Sequence, residues 1–301
     1  MDSTRNCPVC NTPSTVADLY IDENIDKTRL TGLSFASRKE PEYMCHRLMR
    51  CRICDLVYAD KPPNQDDLAQ AYHQAEYDSV EEANDAATAY ICAIQPVLAR
   101  LPQRKRALEI GTGTAVFLEH LSAKGFTDLV GVEPSVSAIA SAPVHRRSWI
   151  REGIFVESDF EPASFDLICC FMTMEHVLFP KSVSDAAIRL LKPGGAFVTV
   201  THDYTSWVNR LMGKKSPIID IEHMQLFSQS SISYLFKSSG FENVTADRFA
   251  NRYSLRYWAR LMPLPRPIKT SVTNFLAWRS IGRTKLSFDV GNTLTAGFRD
   301  R

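Results

Sequence analysis

The sequence predicts an α/β protein built on an open, doubly wound sheet. Three observations carry that expectation. From Ala107 to Phe117 a short apolar run ends in a glycine turn, Gly111-Thr112-Gly113, which opens an amphipathic segment. From Leu129 to Glu133 a second apolar run ends in an acid about 20 residues beyond the turn. Further apolar runs (Ser164 to Met172, Ala196 to Thr201) then alternate with a helical pattern at Ala186 to Leu191, as in a wound parallel sheet.

The elements follow in chain order. Cys7-Pro8-Val9-Cys10 and Cys51-Arg52-Ile53-Cys54 are two C-x-x-C knuckles. Together they offer four thiolates to one ion, the arrangement of a structural zinc site. The loop between them is longer than the usual ribbon spacing, and Cys45 or His46 is an alternative to one ligand. A segment with so small a core takes much of its folding energy from the metal. Asp55 to Asp60 reads as a strand stopped by Pro62-Pro63, and Leu68 to Tyr72 as the start of a helix. Residues 84–100 read as one amphipathic helix with Ala87, Tyr90, Ile91, Ile94, Val97 and Leu98 on its apolar face and Cys92 in the core.

The glycine turn selects a ligand class. Gly111 and Gly113 free the backbone to approach a ligand, and the following helix start offers unpaired N–H groups. A dinucleotide would require a third small residue at Val116, where valine crowds helix against strand, so NAD is disfavoured. An acid-x-G-x-G-x-G turn fits better: Glu109, Gly111 and Gly113 match, and Ala115 replaces the last glycine. On these residues the chain resembles the class I S-adenosylmethionine-dependent methyltransferases. The resemblance implies a Rossmann-like, seven-stranded, mostly parallel sheet with an antiparallel last strand. It also implies S-adenosylmethionine as cofactor, held by Glu109, Gly111, Thr112, Gly113, Glu133, Pro134, Phe155 and Phe171. The acid that often meets the adenine amine after the third strand is replaced here by Ile154 or Phe155, and Asp159 reads as a solvated loop acid.

Later motifs strengthen the resemblance. Phe165-Asp166 opens and Glu175-His176 closes a family-like fourth strand, with Cys169 and Cys170 as buried thiols. Lys192-Pro193-Gly194-Gly195 is the turn before the fifth strand, which ends at His202-Asp203. His223, a serine-capped helix from Ser231 to Phe236, and Gly240-Phe241 resemble the small-molecule branch, with a sixth strand from Phe241 to Arg248. The expected general base is His176 or His223, with Glu175 orienting His176; His202 ranks behind, and Asp203 and Tyr204 are reserves. Residues 1–75 resemble the zinc-ribbon leader of bacterial methyltransferases, sugar-modifying ones included, ahead of a methyltransferase domain at 76–301.

A basic insert at about 250–283 precedes the last strand. Between Phe249 and Ser287 there is no acid, while Arg252, Arg256, Arg260, Arg266, Lys269, Arg279, Arg283 and Lys285 intervene among Tyr253, Tyr257, Trp258 and Trp278. Arg252, Arg256 and Arg260 would share one helical face, which Pro263, Pro265 and Pro267 interrupt. This is a solvated face, or a lid or docking surface for phosphate groups or a membrane. Residues 285–298 form the closing strand, kinked at Gly291-Asn292.

A chain of 301 residues with 45% hydrophobic content can bury a sizeable core, and a net charge of +1 gives no global nucleic-acid footprint. Met1 to Arg5 lack the apolar core of a signal peptide, no apolar run nears a membrane span, and eight cysteines fit the cytosol. The expected activity is methylation of a small molecule, such as a sugar, a nucleotide-linked sugar or a secondary metabolite. The alternatives are an RNA methyltransferase and a non-catalytic scaffold.

Overall fold

The computed structural model describes residues 4–31, 33–36, 41–77, 79–262, 264, 266–278 and 280–300. Expectations resting on residues 1–3, on Pro263, Pro265 and Arg279, and on the side chains of Arg266 and Trp278 lie outside these. Among the described residues no helix is long and apolar enough to cross a membrane.

Strands β1 (Asp18–Ile21), β2 (Leu48–Arg50) and β3 (Val57–Ala59) form an antiparallel sheet in the leader. The larger sheet contains β4 (Arg106–Ile110), β5 (Asp128–Glu133), β6 (Ile150–Glu152), β7 (Phe165–Phe171) and β8 (Leu191–His202). After these come β9 (Gln225–Leu226), β10 (Glu242–Ser254) and β11 (Lys285–Phe298). The seven-stranded order is β10-β11-β8-β7-β4-β5-β6, parallel except that β11 runs antiparallel between β8 and β10. All seven residues of β7 are buried, the continuous apolar run of a central parallel strand covered on both faces. Because β4 lies between β5 and β7, the strand order reverses there, and a crevice opens at the carboxyl ends of these strands.

The leader does not stand apart. Strand β9, more than 160 residues after β3 in sequence, pairs with β3 as the fourth strand of the leader sheet. The Arg5 guanidinium donates to the carbonyls of Ala59, Leu178 and Met224 at 2.6, 2.8 and 2.9 Å. Cys7, Leu56 and Tyr58 pack in one buried cluster with Leu108, Phe165 and Phe197.

Four local expectations change. Lys192-Pro193-Gly194-Gly195 is not a separate turn but lies within β8, where the register with β7 shifts between Phe165 and Leu167. The segment 84–100 is two helices, Val80–Ala93 and Gln95–Arg100, because Pro96 has no N–H to continue the ladder. The apolar face is as expected, but Cys92 is exposed, pointing away from Tyr90 and Ile94. Strand β10 runs on to Ser254, since Arg252, Tyr253 and Ser254 find partners in Ser287, Leu286 and Lys285 of the long β11. Arg252 therefore lies on a strand, while Arg256 and Arg260 lie on the helix Leu255–Leu261, whose N-cap is Ser254. The kink expected at Gly291 is present: the register with β10 shifts between Phe249 and Asn251, and Gly291 takes φ +86°.

In the folded protein, iodoacetamide is expected to label Cys92 ahead of Cys45, Cys169 and Cys170, which react only after denaturation. Burial pushes the Cys45 thiol up to about 11 and those of Cys169 and Cys170 well above the ordinary range. Peptide mapping after a short pulse checks this, and early labelling of Cys169 contradicts the packing of β7.

Candidate active site

The glycine turn is pinned to the neighbouring strand: the amides of Gly111 and Thr112 both donate to the Val132 carbonyl, at 2.9 and 3.1 Å. Gly111 sits at φ +75°, and a Cβ there would lie 2.3 Å from Thr173 Oγ1. Gly113 sits at φ +56°, and a Cβ there would meet nothing within 4 Å, so its face is open to the crevice. Ala115, the departure from the glycine pattern, takes φ +56° as N-cap of the helix Val116–Ser122, with its methyl group fully buried. Thr112 Oγ1 donates to Glu109 Oε2 at 2.5 Å.

Glu133 ends β5 beside the turn. One carboxylate oxygen accepts the Gly113 amide at 2.7 Å and the other accepts the Ser135 amide at 2.9 Å. Burial raises its pKa, and the two N–H bonds oppose that shift. Each oxygen keeps accepting capacity for a ligand hydroxyl.

All eight residues expected around the cofactor line one cavity of about 690 Å³. Phe155 stacks on Phe160 with ring centres 6.0 Å apart, and with Ile154 and Pro134 it forms an apolar wall. Asp159 is exposed and off the cavity, a loop acid as expected. Phe171 stacks on Tyr90 at 4.5 Å and meets Phe117 edge-on.

The same cavity reaches three histidines. The rings of His176 and His223 lie 4.9 Å apart, and those of His223 and His202 5.3 Å apart. His176 Nδ1 is 3.2 Å from the Glu222 carbonyl and 3.0 Å from the Tyr72 hydroxyl. His223 Nδ1 is 2.8 Å from the Ile218 carbonyl. A carbonyl only accepts, so these contacts assign the proton to Nδ1 in both rings and leave Nε2 basic. Met172, at the end of β7, is held at φ +50°, a strained angle for a non-glycine residue beside the cavity.

Glu175 does not orient His176. Its side chain turns the other way, is fully buried, and accepts the His202 backbone N–H at 2.6 Å, with His202 Nδ1 3.3 Å away. Adjacent residues in the turn after β7 diverge, so His176 takes its partners from Tyr72 and Glu222 instead. Neither stands among the candidates from sequence. Glu222-His223 does repeat the Glu175-His176 pair, a signal available in the chain. Tyr72, from the leader's helix Gln65–His73, has none.

The two knuckles are near copies. Cys7 N bonds Thr12 O and Asn11 N bonds Cys7 O; Cys51 N bonds Leu56 O and Asp55 N bonds Cys51 O. Asn11 and Asp55 both take positive φ, at 59° and 63°. The Cys7–Cys54 and Cys10–Cys51 sulfurs lie 3.5 and 3.4 Å apart, and all four are mutually within 4.8 Å. Tetrahedral zinc at about 2.3 Å from each sulfur places them roughly 3.8 Å apart, so the set fits that ion. Cys45 packs instead among Ile21, Leu48 and Leu226.

A glycine turn at the switch point, a carboxylate on the next strand, and an antiparallel strand inserted in an otherwise parallel sheet define the class I S-adenosylmethionine-dependent methyltransferase fold. The family profile described as a methyltransferase domain matches residues 61–246, and the chain belongs to that family. Ubiquinone biosynthesis O-methyltransferase of Paracidovorax citrulli is 28% identical over 152 residues, 46% of this chain and 60% of that protein. The Burkholderia vietnamiensis protein of the same name is 31% identical over 120 residues, 36% of this chain and 50% of that protein. The chain thus spans about half the length of the curated relatives it matches. Among solved structures, a methyltransferase of Thermotoga maritima, a possible histamine N-methyltransferase, aligns with TM-score 0.48 and 21% identity over 72% of this chain and 91% of that one.

Gly111→Ala is expected to cost about 1–3 kcal/mol through the clash with Thr173, read as a lowered urea midpoint. An unchanged midpoint contradicts the close approach of the turn to Thr173.

Proposed function

We propose that the protein transfers a methyl group from S-adenosylmethionine to a hydroxyl of a small-molecule acceptor, in the class of sugars, nucleotide-linked sugars or secondary metabolites. One observation carries this reading: a single cavity joins the glycine turn and Glu133 to the histidine cluster. The names of the curated relatives, O-methyltransferases of a small-molecule pathway, support it.

S-adenosylmethionine, when bound, supplies a methyl group already activated on a sulfonium. The protein's part is to hold, orient and deprotonate. Glu133 accepts the sugar hydroxyls, while Phe155, Ile154 and Pro134 offer apolar surface to the base. The glycine turn leaves room for a ligand against its backbone. His176 Nε2 takes the acceptor proton, with the ring fixed through Nδ1. Alignment of the reacting groups supplies up to roughly 7–11 kcal/mol in good cases, and a positioned base typically about 10²- to 10⁴-fold. His223 and His202 lie next along the same wall, and Glu175 acts as a positioning residue for the end of β8. Cys7, Cys10, Cys51 and Cys54 hold a structural zinc ion, and thiolate ligation suits a reducing, cytosolic setting.

Titration calorimetry with S-adenosylmethionine tests the cofactor assignment. Glu133→Gln is expected to weaken binding by roughly 10- to 100-fold, the usual worth of a hydrogen bond to a charged group. Wild-type affinity is expected to fall on acidification. The ligand's hydroxyls need the charged carboxylate, and burial raises the Glu133 pKa, so the loss begins above the ordinary glutamate range. Affinity flat through that range contradicts the role of Glu133.

His176→Ala is expected to lower turnover about 10²- to 10⁴-fold with cofactor affinity unchanged. Turnover at the wild-type level removes His176 from the mechanism. Elemental analysis is expected to find zinc bound stoichiometrically to the wild-type chain and lost in Cys51→Ser, with the leader unfolding first.

A further inference from the structure

Two surface elements carry a composition that methyl transfer does not use. At the end of β10 and in the insert before β11, Arg252, Arg256 and Arg283 are exposed and have no ion-pair partner among the described residues. Interleaved with them, Met262, Ile268, Phe275 and Ile281 are 50% to 56% exposed. The second element is the helix Trp207–Met212 and the turn after it. Trp207 and Leu211 are 68% and 79% exposed there. Beside them Arg210, Lys214 and Lys215 are exposed and likewise have no ion-pair partner among the described residues. Both elements border the same cavity: Val208 and Met212 line it from one, Leu261 and Met262 from the other.

We infer that this rim docks the protein on an anionic lipid bilayer and that the acceptor reaches the cavity from that surface. The docking stands independently of the methyl-transfer reading; the clause about the acceptor rests on it. Large apolar side chains interleaved with cations suit the boundary between headgroups and acyl chains, where tryptophan is favoured and each cation meets a lipid phosphate. Charge selects the occupant. A second copy docked through this face would bring cations against cations across a self-complementary interface. A nucleic acid would neutralise the cations and leave Leu211, Ile268 and Phe275 in water. The acid-free stretch from Phe249 to Ser287 puts no repulsive carboxylate of its own against an anionic surface.

The test is co-sedimentation of the zinc-loaded protein with sucrose-loaded vesicles. Equimolar phosphatidylglycerol and phosphatidylcholine are compared with phosphatidylcholine alone, and S-adenosylmethionine affinity is measured on the same preparations. Binding is expected to favour the anionic vesicles by ~10-fold or more and to weaken with salt. Lys214→Glu with Lys215→Glu is expected to reduce it ~10-fold or more, and Trp207→Ser with Leu211→Ser to reduce it on both kinds of vesicle, cofactor affinity staying unchanged in each. Equal binding to both lipids, no sedimentation, or wild-type binding by either variant overturns the proposal. So does a dimer in sedimentation velocity that the Trp207/Leu211 variant dissolves, or a preference for RNA over anionic vesicles in direct competition. Vesicle binding without cofactor binding sinks the enzymatic reading and leaves the docking standing.

Discussion

The Glu133 carboxylate is the tie on which the site depends. Its two oxygens each take one backbone N–H, from Gly113 in the turn and from Ser135 at the cap of the next helix. Three elements are thereby fixed to one another at the switch point: β5, the glycine turn and the helix Val136–Ser141. Removing the carboxylate leaves two amides without acceptors, each costing about 1–3 kcal/mol where water is excluded. The same burial that makes the tie strong raises the cost of the charge, so the group is poised to gain from hydroxyl donors in the crevice. Ser135 extends the tie, since its hydroxyl donates to the Ala75 carbonyl at the end of the leader.

That last contact is one of several that make the leader part of the site. Tyr72 meets the His176 ring edge-on and also bonds the Glu222 carbonyl, so a leader side chain holds two segments of the methyltransferase fold together. Asp55, whose φ closes the second knuckle, accepts the hydroxyls of Tyr204 and Ser228 at 2.8 and 2.7 Å. The second cysteine knuckle therefore touches the loop after β8 and the cap of the helix Gln229–Ser238 directly. Disturbance of the four cysteines has a short path to the histidine wall.

What the sequence revealed were features set by local periodicity and backbone geometry. The glycine turn, the acid ending β5, the apolar face of the helix Val80–Ala93 and the bulge near Gly291 each announce themselves within a few residues. The parallel core strands were legible as unbroken apolar runs. Pairings across long separations were not. Nothing near Tyr72 marks it as a partner of His176, 104 residues on, and no local rule says that Gln225-Leu226 joins the leader sheet. The divergence of Glu175 from His176 depends on a tight turn whose direction the residue types do not specify. Arg252 escaped its expected helix because β10 runs on past its expected end at Arg248, pairing along the full length of a β11 whose bounds are as expected.

Strand β9 has a consequence for how the chain is made. The knuckles can come together only once residue 54 has left the ribosomal tunnel, and β3, paired with β2, lacks its second neighbour until residues 225 and 226 follow. At the usual pace of about 5–20 residues per second, that interval is on the order of 10–30 s. Throughout it, the nascent amino-terminal sheet carries an open hydrogen-bonding edge, able to recruit a neighbouring polypeptide on the same messenger. An early-captured ion would restrain that immature lobe during the wait, giving the four thiolates a chaperone-like duty in biogenesis beyond their part in the finished molecule.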